Sequence, residues 1–220
     1  AIEKKVKKVI ALSTDKACNP VNLYGATKLA ADKLFVAGNT LVGKIKNPIF
    51  SVVRYGNVIN SRGSVIPLFK NLYNNNQKEF PITHKEMTRF FITLSQSVKF
   101  VMKSFERMKG GEIFIPKLPT IKIIDIAKAI DNNAKIKIIG TRPGEKVHEL
   151  LSNKDESSNT IDFKNHYVIA PILYSSIKNY LTNPLSEKGK RAKENFEYVS
   201  SNKEDRLNLK EIRKILSQTI

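Results

Sequence analysis

The segment VIALSTDKACNPVNLYGATKLAADKLF, residues 9–35, decides the fold class of the chain. It begins with the apolar run Val9–Leu12, which is typical of a strand buried in a parallel sheet. The loop Ser13–Asn22 and a helix over about Tyr24–Ala37 follow, and Phe50–Arg54 is a second apolar strand. Strand, helix and strand in this order form the unit from which parallel α/β sheets are built.

The alternation of strands and helices continues along most of the chain. Ala1–Lys8 has the pattern of the last turns of an amphipathic helix. Further strands are expected at Glu112–Ile115 and Lys135–Ile139, and further helices at Val65–Leu72, Leu94–Met108, Ile121–Ile130, Gly144–Leu151 and Leu207–Leu216. The pattern therefore predicts an α/β protein.

Composition excludes several classes of protein. With 41% apolar and 26% charged residues, the chain has the composition of a globular domain. No apolar stretch approaches the roughly 18 residues of a membrane span, so a cytoplasmic protein without membrane contact is expected. The single cysteine, Cys18, excludes an internal disulfide, and His84, His148 and His166 are too scattered to predict a metal site.

The net charge of +18 raises the question of nucleic-acid binding. Of the 38 basic residues, 30 are lysines, which are spread along the whole chain. They are not interleaved with aromatic residues, and the arginines do not cluster as they do in proteins that contact base edges. A solvated, lysine-rich surface is the better interpretation, and no nucleic-acid partner is expected.

Two tyrosines are followed by a lysine four residues later, the spacing that places both side chains on one helical face. These are Tyr24/Lys28 and Tyr174/Lys178, and a lysine-rich chain produces such pairs by chance. Only Tyr24/Lys28 lies on a helix that follows a buried parallel strand, where cofactor crevices open. We therefore treat Tyr174/Lys178 as a chance match.

The loop before Tyr24 carries Ser13, Thr14, Asp15 and Lys16, directly after the first strand. Taken singly, Asp15 is explained as a turn residue, Lys16 as a solvated side chain, and Tyr24 as a core residue with a hydrated hydroxyl. Together, an acid, an ammonium group and a phenol at the end of one strand favour a catalytic crevice.

Five separated motifs resemble the extended short-chain dehydrogenase/reductase family, and within it the inverting UDP-N-acetylglucosamine 4,6-dehydratases of pseudaminic acid synthesis. They are ALSTDKACNPVNLYGATKLAADKLF, SVVRYGNVINSRGSVIP, ITHKEMTRFFIT, GGEIFIPKLPTIKIIDIAKAI and IIGTRPGEKVHELL. Related sugar dehydratases carry Asp-Glu where this chain has Asp15-Lys16, and large membrane-bound relatives carry Met in place of Tyr24. Both differences favour the short, soluble subgroup.

The resemblance implies an NADP-dependent mechanism. Tyr24, assisted by Lys28, would take the proton of the sugar 4-hydroxyl while a hydride moves from carbon 4 to the nicotinamide. Lys16, partly neutral, would then remove the proton on carbon 5, and Asp15 would protonate the departing 6-hydroxyl. Thr14 would hydrogen-bond the 4-oxygen. The hydride would return to carbon 6, and protonation of carbon 5 from the other face would invert that centre.

The resemblance also implies the residues that bind UDP-N-acetylglucosamine and the cofactor. Thr14 and Lys16 would contact the sugar, and Tyr55 would join Tyr24 and Lys28 at the cofactor. The remaining substrate contacts would come from Asn57, Arg62, Ser64, Arg89, Arg142 and Glu145. The alternatives are a surface ion pair for Arg89 and a charge at a helix N-terminus for Glu145. His84 and His148 are interpreted as structural.

The resemblance implies the C-terminal part of a Rossmann-like, doubly wound parallel sheet, with its first half missing, plus a smaller α/β substrate-binding domain. We expect a partial dinucleotide-binding domain over residues 1–60, which contains the catalytic loop and helix. A mixed substrate-binding part with returning Rossmann strands follows over 61–170, and a C-terminal extension with a terminal helix over 171–220. A homo-oligomer is expected for the complete enzyme.

The ten glycines form neither G-x-G-x-x-G nor the family's G-x-x-G-x-x-G. That loop normally admits the dinucleotide pyrophosphate to a helix N-terminus. We therefore expect an N-terminally truncated chain that alone binds NADP weakly and turns over no substrate. The alternatives are a related capsule-pathway UDP-sugar epimerase or dehydratase, and a non-catalytic binding module left after loss of the dinucleotide half.

Overall fold

The computed structural model describes residues 1–42, 47–171 and 176–217 of the chain. Within these ranges the strands are β1 Lys8–Thr14, β2 Ile49–Tyr55, β3 Asn57–Val58, β4 Glu79–Ile82, β5 Thr88–Ile92, β6 Ile113–Pro116, β7 Thr120–Lys122, β8 Lys135–Ile138, β9 Leu150–Ser152, β10 Thr160–Asp162, β11 His166–Ile169, β12 Lys190–Arg191 and β13 Tyr198–Val199. The helices are α1 Leu23–Leu41, α2 Val65–Asn74, α3 Leu94–Arg107, α4 Ile123–Ile130 and α5 Leu209–Ser217. None of these helices combines the length and apolar character needed to cross a bilayer.

The chain divides into two compact units, and each collects three separate stretches. The first unit contains Ala1–Tyr55, Ser95–Lys117 and Leu150–Tyr198, and the second contains Gly56–Leu94, Leu118–Glu149 and Val199–Ile220. The division expected from the sequence (1–60, 61–170 and 171–220) instead used contiguous ranges. The difference arises because the strands of one sheet come from distant parts of the sequence.

The first unit is built on a sheet with the strand order β1-β2-β6-β11-β10-β12. β1, β2 and β6 are parallel, and β11 and β10 continue the sheet in antiparallel fashion. β1 and β2 pair along their whole length, from Lys8 opposite Ile49 to Thr14 opposite Tyr55. This register places the ends of both strands, and the residues that follow them, at the same edge of the sheet.

Helices cover both faces of this sheet, as expected for a doubly wound fold. On one face, α1 packs against β2 through the rings of Phe35 and Phe50, whose centroids are 6.2 Å apart. On the other face, Phe100 of α3 packs against a buried cluster that contains Val53 and Phe114. Because Phe50 and Val53 are three residues apart on one strand, their side chains point to opposite faces.

The second unit has its own apolar core. β3, β5 and β7 form one small sheet, and β4 pairs with β8 in another. The core between these strands and α2, α4 and α5 contains Phe69, Phe80, Ile126 and, from the terminal helix, Ile212 and Leu216. The predicted terminal helix is therefore confirmed, and its apolar side closes this core.

The predicted helix Gly144–Leu151 is wrong, because this segment forms a turn that leads into β9. A helix would need its own carbonyl groups for internal hydrogen bonds. Here the carbonyl of Val147 instead accepts from the backbone of Thr88 at 3.1 Å, and Arg89 donates to the carbonyls of Lys146 and Val147. Contacts with β5, about 60 residues away along the chain, therefore hold the segment extended.

Two other predicted helices are shorter than expected or absent. Ile121 and Lys122, the first two residues of the predicted helix Ile121–Ile130, belong instead to strand β7, which pairs with β5. The β-branched residues Thr120 and Ile121 suit this pairing. Ala1–Lys8 forms a turn and the start of β1, and Lys5 has a φ of +50°, which interrupts a right-handed helix. Tyr174, of the chance pair, lies outside the described residues.

Candidate active site

The three candidate catalytic residues of the loop are joined by hydrogen bonds at the carboxyl end of β1. Thr14 ends the strand, and Asp15–Ala17 form a single 3₁₀ turn. The Thr14 hydroxyl donates to Oδ1 of Asp15 at 2.8 Å, and Nζ of Lys16 donates to the same oxygen at 3.0 Å. Thr14 also caps the turn by accepting from the backbone of Lys16. The loop therefore holds an acid and an amine in direct contact.

Asp15 and Lys16 differ in exposure. The Asp15 side chain is fully buried, whereas that of Lys16 is 36% exposed. The second carboxylate oxygen of Asp15, Oδ2, is buried and has no hydrogen-bond partner among the described residues. A buried oxygen without a partner is costly and is commonly satisfied by a bound molecule or water. This oxygen therefore keeps unused hydrogen-bonding capacity inside the site.

Helix α1 carries Tyr24 and Lys28 in its first two turns. Asn22 caps the helix by accepting from the backbone of Gly25 at 2.8 Å, which fixes the start of the helix at Leu23, one residue before Tyr24. The Tyr24 side chain is 53% exposed. Nζ of Lys28 lies 5.8 Å from the centre of its ring. Tyr24 and Lys28 are therefore neighbours on one helical face.

Gly25 brings α1 and the 3₁₀ turn together, although it was not among the residues predicted for the site. A Cβ atom at this position would lie 2.5 Å from the carbonyl oxygen of Lys16 and 2.9 Å from Cβ of Pro20. Real Cβ atoms do not approach other atoms so closely, so the contact requires glycine. The signal in the sequence was the Tyr24-Gly25 dipeptide at the start of a helix, where glycine is unfavourable without a packing reason.

Tyr55 lies beside this loop in the same sheet. It ends β2 and is directly opposite Thr14 in the register. Burial raises the pKa of its phenol. The structure therefore places Tyr55, predicted as a cofactor residue, at the same edge of the sheet as Thr14, Asp15 and Lys16.

The second unit contains the other predicted substrate residues. Asn57 begins β3, and Ser64 precedes α2 without capping it through its side chain. Oδ1 of Asn57 and Oγ of Ser64 are buried and have no hydrogen-bond partner among the described residues. Arg62 is exposed in the loop between these two residues. This loop therefore offers one cation and two polar atoms to a ligand.

Arg89 and Arg142 occupy different environments within this unit. Arg89 is buried and donates to the carbonyls of Thr88 at 2.7 Å, Lys146 at 2.9 Å and Val147 at 3.1 Å. Arg142 is exposed, and its backbone donates to a carboxylate oxygen of Glu145 at 3.2 Å. Arg89 thus holds the segment after Arg142 in place, whereas the guanidinium of Arg142 faces solvent.

His148 takes part in a polar cluster of the same unit. Nδ1 of His148 lies 2.8 Å from the Thr88 hydroxyl, which is 2.7 Å from the Ser200 hydroxyl. Burial lowers the pKa of His148, and the nearby Arg89 lowers it further. These contacts support the interpretation of His148 as a structural residue.

Comparison with known proteins gives consistent matches along the chain. Residues 1–171 match the family described as polysaccharide biosynthesis protein. An inverting UDP-N-acetylglucosamine 4,6-dehydratase of Campylobacter jejuni is 53% identical over 219 residues, which cover 99% of this chain and 65% of that protein. A UDP-glucose 4-epimerase of Rickettsia canadensis is 39% identical, over 98% of this chain and 63% of that protein. This chain thus spans slightly less than two thirds of the length of these relatives.

A solved structure is also similar over nearly the whole chain. The X-ray structure of Pen from Bacillus thuringiensis superposes with a TM-score of 0.84 at 35% identity, and the match covers 99% of this chain and 64% of that one. The Rossmann-like α/β fold predicted from the sequence is confirmed by this similarity and by the doubly wound sheet of the first unit. The chain belongs to the polysaccharide biosynthesis protein family and is of the extended short-chain dehydrogenase/reductase type that its motifs resemble.

Proposed function

We propose that this chain is the catalytic part of a UDP-N-acetylglucosamine 4,6-dehydratase that inverts carbon 5, an enzyme of nucleotide-sugar biosynthesis. The observation that carries the proposal is the hydrogen-bonded set of Thr14, Asp15 and Lys16 at the end of β1, next to the helix that carries Tyr24. The 53% identity to a dehydratase of this name supports the same assignment.

The proposed elimination needs one base and one acid close together. Once carbon 4 is a ketone, the proton on carbon 5 becomes acidic, and the amine of Lys16 removes it. Asp15 gives a proton to the departing 6-hydroxyl, which leaves as water. Thr14 donates a hydrogen bond at the 4-oxygen. Protonation of carbon 5 from the opposite face then inverts that centre.

A nicotinamide dinucleotide, proposed here as NADP, supplies the temporary oxidation of carbon 4 and the later reduction of carbon 6. The described residues fit the nicotinamide and ribose end of such a cofactor. Tyr24 presents an exposed phenol, Lys28 lies beside it, and Asp15 has a buried oxygen without a partner among these residues. In the proposed reaction, Tyr24 takes the proton of the 4-hydroxyl and Lys28 and Tyr55 help to hold the ribose.

For the uridine diphosphate we propose the polar residues of the second unit. Arg62 and Arg142 are exposed cations, which suit phosphate oxygens, and Asn57 and Ser64 offer buried polar atoms. Glu145 is proposed to contact the ribose. The buried Arg89 is proposed to contribute by holding the segment that carries Arg142 and Glu145. For the complete enzyme we propose a homo-oligomer.

Product analysis tests this function. The complete gene product is incubated with UDP-N-acetylglucosamine and NADP, and the sugar is followed by NMR. The proposal predicts a 4-keto-6-deoxy sugar with inverted carbon 5, accompanied by incorporation of solvent deuterium at that carbon. A sugar changed only at carbon 4 would instead establish the epimerase function that the Rickettsia relative favours. Binding of the UDP-sugar without any product would establish a non-catalytic binding module.

The same assay on the 220-residue polypeptide tests a second part of the proposal. We propose that this polypeptide alone binds NADP weakly and forms no product, because its ten glycines do not form the pyrophosphate-binding loop. Measurable dehydration by the isolated polypeptide would overturn this part and leave the assignment of the reaction intact.

A further inference from the structure

The guanidinium of Arg54 lies fully buried at the end of β2 and connects two acidic side chains from different parts of the first unit. Its Nη2 and Nε atoms lie 3.1 Å and 3.3 Å from Oδ2 of Asp32, on α1. Its Nη1 atom lies 3.2 Å from both carboxylate oxygens of Glu156, in the 3₁₀ segment Lys154–Asn159. Nη1 also donates to the carbonyl of Leu151 at 2.9 Å.

Stability alone is a poor explanation for this arrangement. The Asp32 side chain is 1% exposed and that of Glu156 is 14% exposed, so three charges have lost most of their hydration. Burial raises the pKa of Asp32 in spite of the opposing charge of Arg54. Buried ionic groups of this kind are often no more stabilising than apolar side chains of similar size, although they do fix a geometry.

Each carboxylate leads to a different part of the candidate active site. Asp32 follows Lys28 by one helical turn and Tyr24 by two turns on α1. Glu156 lies 3.9 Å from Sγ of Cys18, the residue directly after the 3₁₀ turn of Asp15 and Lys16.

A second contact ties the same region together. The side chain of Asn153 accepts from the backbone of Glu156 at 3.0 Å and donates to the side chain of Asn19 at 2.7 Å. The backbone of Asn153 in turn donates to Glu156 at 3.2 Å, which completes a capping box. Glu156 is therefore held firmly against the loop that follows Cys18, and Arg54 connects this loop to α1.

We propose that Arg54 is a positioning residue that fixes α1 relative to the 3₁₀ turn, and hence Tyr24 and Lys28 relative to Asp15 and Lys16. The inference rests on the proposed dehydratase function for its effect on catalysis. Misplacement of reacting groups by about 1 Å costs on the order of 100-fold in rate. Loss of the contact between Arg54 and either carboxylate, Asp32 or Glu156, is therefore expected to lower kcat while the binding of the UDP-sugar is retained.

The test uses substitutions of the carboxylates, because Arg54 itself is too deeply buried to remove safely. In the complete gene product, Asp32→Asn and Glu156→Gln keep the shape of each side chain, and each substitution weakens the ion pair of that residue with Arg54. The matched control is Glu106→Gln on α3, which weakens a surface ion pair with Lys103. Three quantities are measured: kcat, KM for UDP-N-acetylglucosamine, and amide hydrogen exchange.

For Asp32→Asn we expect kcat to fall by about 10- to 100-fold with KM changed less than about threefold. Amide exchange at Lys16, Ala17 and Cys18 should become at least tenfold faster, while the amides of β6 keep their protection. In the Asp32→Asn/Glu156→Gln double variant, the fold-decrease in kcat should be smaller than the product of the fold-decreases in the two single variants. Both substitutions act through the same guanidinium, so their effects are not independent. Glu106→Gln should leave all three quantities unchanged.

A wild-type kcat and unchanged exchange at Lys16–Cys18 in Asp32→Asn would overturn the positioning role. Equal acceleration in the turn and in β6 would also overturn it, because it would indicate a global loss of stability. If the wild-type protein forms no dehydrated sugar, the proposed function fails instead. The exchange measurement then still decides whether Arg54 links α1 to the turn.

Discussion

Nζ of Lys16 lies 3.0 Å from Oδ1 of Asp15, in the turn that directly follows β1. Two neighbouring residues of an extended strand point in opposite directions, so the 3₁₀ turn is what allows this contact. In the proposed reaction one of these groups gains a proton and the other loses one. Groups in hydrogen-bond contact can exchange that proton directly, which prepares the pair for the next turnover.

Gly25→Ala tests the close approach of α1 to this turn. The added Cβ would lie 2.5 Å from the carbonyl oxygen of Lys16, so either the helix or the turn must move. We expect kcat of the complete enzyme to fall by about 100-fold with only a modest loss of thermal stability. Alanine is otherwise a better helix former than glycine by about 1 kcal/mol. A loss of kcat or of thermal stability in Gly25→Ala would therefore be due to the close contact with the turn.

Ala26→Ser is the matched control for Gly25→Ala, because Ala26 is the next residue of the helix and is exposed. It should leave kcat within about twofold, since exposed substitutions away from special features have small effects. Wild-type kcat in Gly25→Ala would show that the contact has no bearing on the chemistry.

Arg142 and Arg89 should respond differently to replacement by alanine. Arg142→Ala should raise KM for the UDP-sugar by about 10- to 100-fold, the value of one or more hydrogen bonds to a charged group, and leave the stability unchanged. Arg89→Ala should instead destabilise the protein by about 3 kcal/mol, because it leaves the buried Glu149 and three carbonyls without this partner.

Substrate titration and chemical unfolding separate these two effects. If Arg142→Ala has a wild-type KM, this arginine does not bind the diphosphate. If Arg89→Ala is as stable as the wild type, the buried hydrogen bonds of the Arg89 side chain do not hold the segment that follows Arg142.

His166 should make the protein sensitive to acid. Its ring stacks on Phe163 with centroids 4.7 Å apart, and neither ring nitrogen has a hydrogen-bond partner among the described residues. Burial lowers the pKa of His166 from 6.5 to about 4. Below pH 6.5 the unfolded chain therefore binds a proton that the folded chain excludes. Between about pH 6.5 and pH 4, this group alone should therefore lower the free energy of unfolding by at most about 1.4 kcal/mol for each unit by which the pH falls.

His166→Leu should remove this contribution, because leucine is apolar and does not titrate. Urea unfolding at pH 7 and pH 5 would show that the free energy of unfolding decreases less between these two pH values in the variant than in the wild type. His84→Gln, at a half-exposed histidine in the second unit, serves as the control. Its free energy of unfolding should decrease between pH 7 and pH 5 by the same amount as that of the wild type. An identical pH dependence in wild type and His166→Leu would contradict this prediction.

The sequence predicts the local elements of the site well because they rest on local signals. The apolar run of β1, the helix that follows it and the apolar strand β2 all lie within about 50 residues, and their order places Asp15, Lys16 and the helix that carries Tyr24 at the same edge of the sheet. The roles of these residues came from the family resemblance, since each residue alone also has a structural explanation.

Long-range contacts could not be predicted in the same way. Arg54 meets Asp32 and Glu156, which are 22 and 102 residues away in the chain. The only local signal was a charged residue within an otherwise apolar strand. The helix predicted at Gly144–Leu151 was wrong for a related reason, because Arg89 of a distant strand takes the carbonyls of Lys146 and Val147.

In the proposed mechanism, Lys16 is the base of the elimination reaction. The most direct measurement is turnover of UDP-N-acetylglucosamine by Lys16→Ala in the complete gene product, together with binding of the UDP-sugar. Dehydration by Lys16→Ala is expected to fall by about 10²- to 10⁴-fold, the usual value of a general base, while binding stays within a few fold of wild type. Dehydration at the wild-type rate in Lys16→Ala would contradict this role of Lys16.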